Sequence, residues 1–595
     1  MPVPILEGPS VFALPYAFPS LYDGSVTTAS PTAPAAELPL EARTAPALWR
    51  YALAQGWSTP AYLEEQPDGW REVSWREAGE RVEALAQALL AHGVRKGDAV
   101  AVLSRTRLEW ILLDWAIMSI GAVVVGLYPT NTPSECAYIL GHSEAVLAFT
   151  EDETQHEKLE SVRSQLPELR ELAAFDELDG FTGTGGEAEA VREEDLATLI
   201  YTSGTTGPPK GCMLSHKNLT TAAIRVKTHI QGTTDTVLLF LPMAHSFARI
   251  CHQSAAYHGA TLALCAEATR VPEALARVRP TILPAVPRVY EKVHANALGE
   301  IERAGGAKRA IGRWALRTGA RASARRRAGG SVPAPLRLQV ELADKLVFSK
   351  VRERLGGRLR LGVSGAAPLS VEVLEFFHSL NMLVIEGYGL TETSSSLSVN
   401  DPDDYRFGTV GHAVEGCDVR LDSDGEILVR SDTIFDGYFK DPEATAAAFT
   451  EDGWFRTGDV GELDADGWLK ITDRKKDLII TAGGKNIAPQ NLENALKTSR
   501  FISQALIIGD RRPYVTALIT LDPAELDSAA GDPQALVQEI VDDVNRDRVR
   551  VEQIKRFAIL PRDFSQEEGE LTPTMKLRRK VVHEHFADVI EQLYA

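Results

Sequence analysis

Between residues 75 and 94 the sequence WREAGERVEALAQALLAHGV sets apolar residues three and four apart, and the next apolar run, AVAVL at 99–103, is unbroken. The first spacing is that of an amphipathic helix, the second that of a strand covered on both faces. The alternation continues to about residue 480, for example VLLFL (237–241) and then TLALC (261–265), so βαβ units and largely parallel sheets are expected. Residues 110–128, WILLDWAIMSIGAVVVGLY, approach the length of a membrane span, but Asp114 and Gly121 interrupt them. They predict a buried helix ending near Ser119, followed by the strand AVVVGLY.

Elsewhere the texture changes. Residues 1–42 are rich in Pro, Ala, Ser and Thr without helical period, which predicts a loosely packed leader. GFTGTGGEAEAVREED (180–195) reads as a polar connector before the strand ATLIY. After residue 410, DVRLDSDGEILVRS and GELDADGWLKITD place Asp424-Gly425 and Asp466-Gly467 between short strands, which predicts hairpins in a small β-rich subdomain. From about residue 477 mixed helix and strand resume (NLENALKTS, QALIIG, YVTALITL) in a piece long enough to fold alone. The expected class is α/β: a leader (1–42), a body (43–476) of two αβ-layered subdomains plus the β-rich one, and a small α+β lid (477–595). No repeat period of solenoid length is present.

The 595 residues include 63 Lys or Arg against 82 Asp or Glu, a net charge of −19. With 44% hydrophobic and 24% charged residues, the composition argues against disorder, collagen or a membrane bundle. The negative balance argues against nucleic acid as a main partner. Cys136, Cys212, Cys251, Cys265 and Cys417 are too few and too scattered for a disulfide framework or a zinc pattern. The first basic residue after the amino terminus is Arg43, so no charged region of a secretory signal is seen. A reduced, cytoplasmic protein is expected.

LIYTSGTTGPPKG (199–211) runs from a buried strand into Thr202, Ser203, Gly204, Thr205, Thr206, Gly207, two prolines and Lys210. Glycines permit close backbone approach to an anion, hydroxyls and amides donate to phosphate oxygens, and the lysine adds a point charge. The spacing is not that of a Walker A loop. Four further segments follow in order: VSGAAPLS (363–370), EGYGLTETSS (386–395), DGWFRTGDVGELDADGWLKITDRKKDLIITAGGKNIAPQNLE (452–493) and GELTPTMKLRRKVV (569–582).

This series resembles that of the adenylate-forming enzymes, which include acyl-CoA synthetases, peptide synthetase adenylation domains and firefly luciferase, over about residues 45–590. The resemblance implies ATP and Mg²⁺ as reactants. Adenine would lie against Gly365, Ala366 and Ala367, and against the ring of Tyr388 in Glu386-Gly387-Tyr388-Gly389. Thr391 would offer its hydroxyl to the α-phosphate, and Glu392, with Thr202, would hold the metal. Asp459 would accept the ribose hydroxyls, and Arg474 would reach the nucleotide. Lys476 falls at the hinge of the carboxy-terminal domain, and Lys576 at the adenylation lysine. The loop Gly483, Gly484, Lys485 and Asn486 would face coenzyme A after the domain swivels.

LPMAHSFAR (241–249), VPRVYEKV (286–293) and LADKLVFSKVRERLGGRLRLGVSGAAPLS (342–370) are most similar to long-chain fatty acyl-CoA synthetases. His245 would then act at the site and, with Phe247, border an acyl tunnel. The implied reaction joins a fatty acid to coenzyme A through an acyl-adenylate. Transfer to a carrier protein, a shorter or aryl acid, and a catalytically inactive binder on the same fold are the alternatives. The sequence leaves the oligomeric state open.

Within residues 303–327 are nine basic residues and no acidic one, with Arg309, Arg313, Arg317, Arg321 and Arg325 at every fourth position. On a helix they form one stripe. Weak peripheral contact with anionic lipid competes with a solvated face paired to acidic neighbours. The thin apolar complement of Ile311, Trp314 and Leu316 favours the solvated face.

Overall fold

The structure, a computed structural model, describes residues 42–202, 208–225, 232–482, 485–526, 532–546, 548–572 and 576–595. The expected leader lies outside the described residues but for Ala42. The run at 110–128 forms the helix Leu108–Ser119 and the strand Val123–Leu127. Among the described residues no helix is long and apolar enough to cross a membrane. The helix is apolar almost all round because it lies between two sheets, with Trp110 and Trp115 fully buried.

In the seven-stranded sheet, Ala99–Leu103 is flanked in parallel by Val123–Leu127 and Ala145–Thr150, with Val100 opposite Val124. The nine-stranded sheet carries Thr261–Leu264, Thr236–Leu239, Ile282–Ala285, Leu361–Ser364 and Leu383–Tyr388 as parallel neighbours in that order. One core joins the facing sides of both sheets around the helices Ala45–Ala54, Trp75–Ala91, Leu108–Ser119, His216–Arg225 and Ser246–His258. Helices Pro133–Ser143 and Glu153–Glu160 cover the outer face of the first sheet, and Val271–Val278, Pro287–Arg303 and Val371–Ser379 that of the second. Strands buried on both faces need no polar alternation, which is why they read as continuous apolar runs. Side chains set the helix starts: Ser74 accepts from the Glu77 amide, and Thr132 and Glu135 cap one another's backbone.

The sequence reading passed over the hairpin Tyr62–Gln66/Gly69–Val73, although Asp68-Gly69 marks its turn. It joins the nine-stranded sheet through Thr261–Leu264. The β-rich subdomain is a four-stranded antiparallel sheet of Cys417–Leu421, Glu426–Ser431, Phe455–Leu463 and Leu469–Arg474, with its two Asp-Gly turns where expected. Beyond it, Ile502–Ile508, Val515–Leu521 and Ile554–Ile559 form a three-stranded sheet with helices Pro489–Lys497 and Pro533–Arg546 packed on it.

Two hydrophobic clusters in this last part draw only on residues from Ile479 onward, and the clusters of the body only on earlier ones. Polar contacts join the parts among the described residues. Arg288 donates to the carbonyl and hydroxyl of Ser503 at 2.9 Å each, Arg303 pairs with Glu525 at 3.1 Å, and the Gln490 amide donates to Asp473 Oδ2 at 3.2 Å.

Asp114, the charge that broke the apolar run, pairs with Arg249 in the layer between the sheets, both side chains at most 1% exposed. Arg249 also donates to the Thr198 hydroxyl at 2.6 Å. Burial pushes the Asp114 carboxyl up to about 6 against the pull of Arg249. One guanidinium thus ties the helix Ser246–His258 to the helix Leu108–Ser119 and to the strand Leu196–Thr202. Removing a single partner strands a buried charge, at about 3–5 kcal/mol. Arg249→Met is therefore expected to lower the thermal midpoint by several degrees, and Asp114→Leu/Arg249→Met by clearly less; equal losses would exclude this account.

Candidate active site

Strands Leu361–Ser364 and Leu383–Tyr388 run in parallel, Ser364 opposite Glu386, and end at the segments Gly365–Ala367 and Gly389–Thr393. Crevices at the carboxyl ends of parallel strands are where such sheets place ligands. Glu386 accepts the Leu369 amide at 2.9 Å, and burial pushes its carboxyl up to about 7. Its side chain therefore holds the Gly365–Leu369 segment in place. Ala366 sits at φ +71°, a strained conformation for a residue with a Cβ. Gly387, next to Glu386 in sequence, is half-buried, as is Tyr388.

Thr202 and Lys210, which bracket the loop read as phosphate-binding, are paired in antiparallel strands. Ser203, Gly204, Thr205, Thr206 and Gly207 lie outside the described residues. The Thr202 hydroxyl bonds the Lys210 carbonyl at 3.5 Å and reaches Cys212 Sγ at 3.9 Å. Lys210 itself faces Asp441 at 3.4 Å and the Tyr438 ring at 5.0 Å. Glu392, half-buried in the 3₁₀ turn Thr391–Thr393, accepts from the Tyr438 hydroxyl at 2.9 Å. It also adjoins Cys212, whose thiol burial and Glu392 hold well above its ordinary pKa. Thr391 is buried next to it. The turn is tight: a Cβ on Gly389 would stand 2.4 Å from the Ser395 carbonyl carbon, and Ser394 and Ser395 both have positive φ.

Asp459 and Arg474 are opposite one another in the β-rich sheet, 3.9 Å apart at the side chains. The Tyr388 hydroxyl donates to Asp459 Oδ2 at 2.7 Å. Burial raises the Asp459 carboxyl, with Tyr388, Arg474, Lys576 and Lys476 pulling it back. Lys576 reaches this place from the far end of the chain. Burial and then Arg474 lower its ammonium to about 8, while Asp459 and Glu392 favour the charge. Lys476 is lowered in the same surroundings, again by lost hydration and then by Arg474.

His245 caps the helix Ser246–His258, its Nδ1 accepting the Phe247 amide at 3.1 Å. Burial, and Lys576 after it, push the imidazole down to about 3, so it is neutral, with the proton on Nε2. The Phe247 ring lies 3.2 Å from where a Cβ on Gly365 would be, and the hydroxyls of Ser246 and Ser395 hydrogen-bond. Gly126 lets Ala244, just before His245, lie close to its strand, because a Cβ there would meet the Ala244 backbone at 2.7 Å. Lys576 thus acts electrostatically on Glu392, Asp459, Arg474, Lys476 and His245, and Tyr388 joins them through its bond to Asp459. Lys485 and Asn486 are exposed on the lid, and Gly483 and Gly484 lie outside the described residues. The sequence reading missed Tyr438 and Asp473. Tyr438 stands in FDGYFKDP and could have been flagged by its place beside a turn; Asp473 directly precedes Arg474.

The model of the AMP-binding enzyme family matches residues 48–439, and that of the AMP-binding enzyme carboxy-terminal domain residues 476–595. The chain belongs to the AMP-binding enzyme family. It is 39% identical to the long-chain-fatty-acid–CoA ligase FadD15 of Mycobacterium tuberculosis, over 88% of this chain and 92% of that one. To the long-chain-fatty-acid–CoA ligase ACSBG2 of Xenopus laevis it is 33% identical, over 90% and 81%. The adenylation domain of the Mycobacterium chelonae carboxylate reductase superposes with a TM-score of 0.75 at 26% identity, covering 93% of this chain and 91% of that one.

Gly389→Ala tests the tightness of the turn. Overpacking of this kind costs about 1–3 kcal/mol, which, spent on the position of Thr391 and Glu392, weakens ATP binding by roughly 10- to 100-fold. Titration calorimetry with an ATP analogue and an unchanged circular dichroism spectrum are the expected outcome; unchanged affinity would contradict the placement of this turn at the nucleotide.

Proposed function

We propose that this chain is a long-chain-fatty-acid–CoA ligase that uses ATP in two steps. The observation that carries the reading is the convergence of Lys576 with Glu392, Asp459, Arg474 and His245 in a chain whose full-length relatives are ligases of this kind. A carboxylate oxygen attacks the α-phosphorus of ATP. The bond from that phosphorus to the bridging oxygen of pyrophosphate breaks, and acyl-AMP remains. The coenzyme A thiol, losing its proton, then attacks the acyl carbon and AMP leaves.

Each residue has a physical task. Lys576 lies between the two anions and offsets their repulsion as charge builds up on the phosphate. Asp459 accepts the ribose hydroxyls that its Tyr388 contact prefigures, and Arg474 supplies charge to the phosphate. The segment Gly365–Ala367, held by Glu386, receives adenine with the Tyr388 ring, and Thr391 donates to the α-phosphate. The hairpin loop from Thr202 to Lys210 holds the β- and γ-phosphates. His245, neutral, donates from Nε2 without adding charge, and Phe247 borders the acyl chain. Mg²⁺ fits Thr202 and Glu392: both reach Cys212, whose thiol stays protonated and does not compete with these hard oxygens. When bound, the metal neutralises phosphate charge.

We set the boundary between body and lid at Lys476, where the match to the carboxy-terminal domain family begins. With Lys576 in the site and Lys485 and Asn486 in solvent, the described arrangement suits the first step. A swivel at Lys476 would withdraw Lys576 and present the segment Gly483–Asn486 to coenzyme A.

A panel of fatty acids of increasing length, with acetate and benzoate beside them, tests the reading. AMP release should match coenzyme A consumption and favour the long acids; adenylate formation without thioester would point to a carrier protein as acceptor, and preference for benzoate would overturn the substrate class.

Lys576→Ala should reduce acid-dependent pyrophosphate exchange by roughly 10²–10³-fold, while acyl-adenylate supplied from outside is still thioesterified. The ammonium is the working form, so kcat/KM for adenylation in the wild type should be full below about pH 8 and fall as pH rises through it. Normal exchange in the variant, or a flat profile to pH 9.5 or ~10 where ordinary lysines titrate, would remove Lys576 from this role.

A further inference from the structure

Six residues before Lys576 the lid buries a carboxylate that the reaction itself does not use. Glu570 is fully buried. Arg562 meets it with two guanidinium nitrogens at 2.7 Å each, the Ser565 amide donates to Oε2 at 3.1 Å, and His585 Nδ1 lies 3.0 Å from Oε1. These groups come from different places: Arg562 and Ser565 follow the strand Ile554–Ile559, and His585 ends the helix Arg579–His585. Burial raises the carboxyl, but Arg562, His585 and the Ser565 amide hold it down at about 2, so it accepts as an anion throughout the neutral range.

The backbone carries this anchorage to Lys576. The Glu570 carbonyl accepts the Arg578 amide at 2.8 Å, and Leu571 pairs with Leu577 in an antiparallel bridge. Next along, the Thr572 amide donates to the Lys576 carbonyl at 2.8 Å, and the Thr572 hydroxyl accepts the Lys576 amide at 3.0 Å. Residues 576–578 are thus laid against 570–572, whose first member is clamped from three segments.

Stability alone is a poor reason for the clamp. Leu560, Phe564, Leu571 and Val582, from the same segments, form an apolar cluster of their own, beside which a buried ion pair adds little. The side chains of Arg562 and His585 are 42 and 39% exposed, so both regain water if the carboxylate is lost. What the clamp does supply is geometry, because a satisfied buried polar network tolerates few arrangements. Lys576 needs that, since its ammonium ends a flexible four-carbon stem and is only as well placed as the backbone beneath it.

We propose that Glu570 is a positioning residue for the first step of the reaction: by clamping the segment paired with Lys576 it sets where the ammonium stands between the substrate carboxylate and the α-phosphate. The proposal rests on the role given to Lys576 under the ligase reading. Misplacing a reacting group by about 1 Å costs roughly 100-fold in rate, so the effect of the clamp falls on turnover.

The test compares the two half-reactions of the full chain, acid-dependent pyrophosphate exchange and thioesterification of acyl-adenylate supplied from outside. Glu570→Gln should lower kcat for exchange by roughly 10- to 100-fold and leave KM for ATP within about twofold, because the nucleotide contacts belong to the body. Thioesterification should stay within about twofold of wild type, since Lys576 has no part in it. Thr572→Val keeps the shape of the side chain but removes the hydroxyl that accepts the Lys576 amide; it should slow exchange alone, and it decides the question where Glu570→Gln does not fold. Normal exchange in both variants would overturn the proposal. So would equal loss of both half-reactions with a lower thermal midpoint, which would make Glu570 a stabiliser of the lid. Lys576→Ala in the same series separates the two levels of the argument: normal exchange there fails the reading of Lys576 and the proposal with it, whereas loss there beside normal exchange in Glu570→Gln and Thr572→Val overturns the proposal alone.

Discussion

Two anions must be brought into contact at this site, and neither comes willingly in a chain that is itself strongly negative. Positive charge therefore has to be concentrated locally and kept dry enough to act at full strength. The crowding of Lys576, Arg474 and Lys476 has a measurable signature, since burial and mutual repulsion drag the Lys576 ammonium down to about 8. Asp459 and Glu392 are the counterweights that keep it charged near neutrality. Lys576 belongs to the carboxy-terminal part of the chain while Glu392, Asp459 and Arg474 belong to the body, so the local positive charge depends on how the two parts meet.

The scaffold serves this condition by ending its parallel strands at one level. Two of them deliver Gly365–Ala367 and Gly389–Thr393 side by side, and a third strand, in the other sheet, ends at Thr202. Relative placement of the two sheets is then critical. Gly126 lets the loop before His245 settle against the first sheet, and the buried Arg249 links the helix bearing His245 and Phe247 to the strand that ends at Thr202. A polar anchor in an apolar layer tolerates few alternative geometries, because any slip leaves a buried group without a partner.

Much of this was legible in one dimension. The strands at 99–103 and 123–127, the connector before residue 196 and the two Asp-Gly turns follow from local pattern alone, and the motifs single out Asp459, Arg474 and Lys576, whose charges act on one another in the structure. What stayed hidden depends on distance along the chain. Tyr438 meets Glu392 across 46 residues and Arg249 meets Asp114 across 135, and no periodicity carries such a pairing. Asp114 looked like an interruption of an apolar run when it was one half of an ion pair. The edge hairpin at Asp68-Gly69 was within reach of the pattern and was masked by its charged, non-alternating strands.

The boundary between lid and body has a character of its own. Each side closes its apolar interior separately, and what meets across the gap is Arg288 with Ser503, Arg303 with Glu525 and Asp473 with the Gln490 amide. Groups of this sort trade a partner for water at little net loss. Among the described residues no hydrophobic cluster spans this boundary, so the relative position of the two parts rests on a handful of exchangeable polar contacts. Dissolved ions weaken those contacts without touching either interior, which makes ionic strength a dial on domain orientation that leaves the stability of each part nearly untouched.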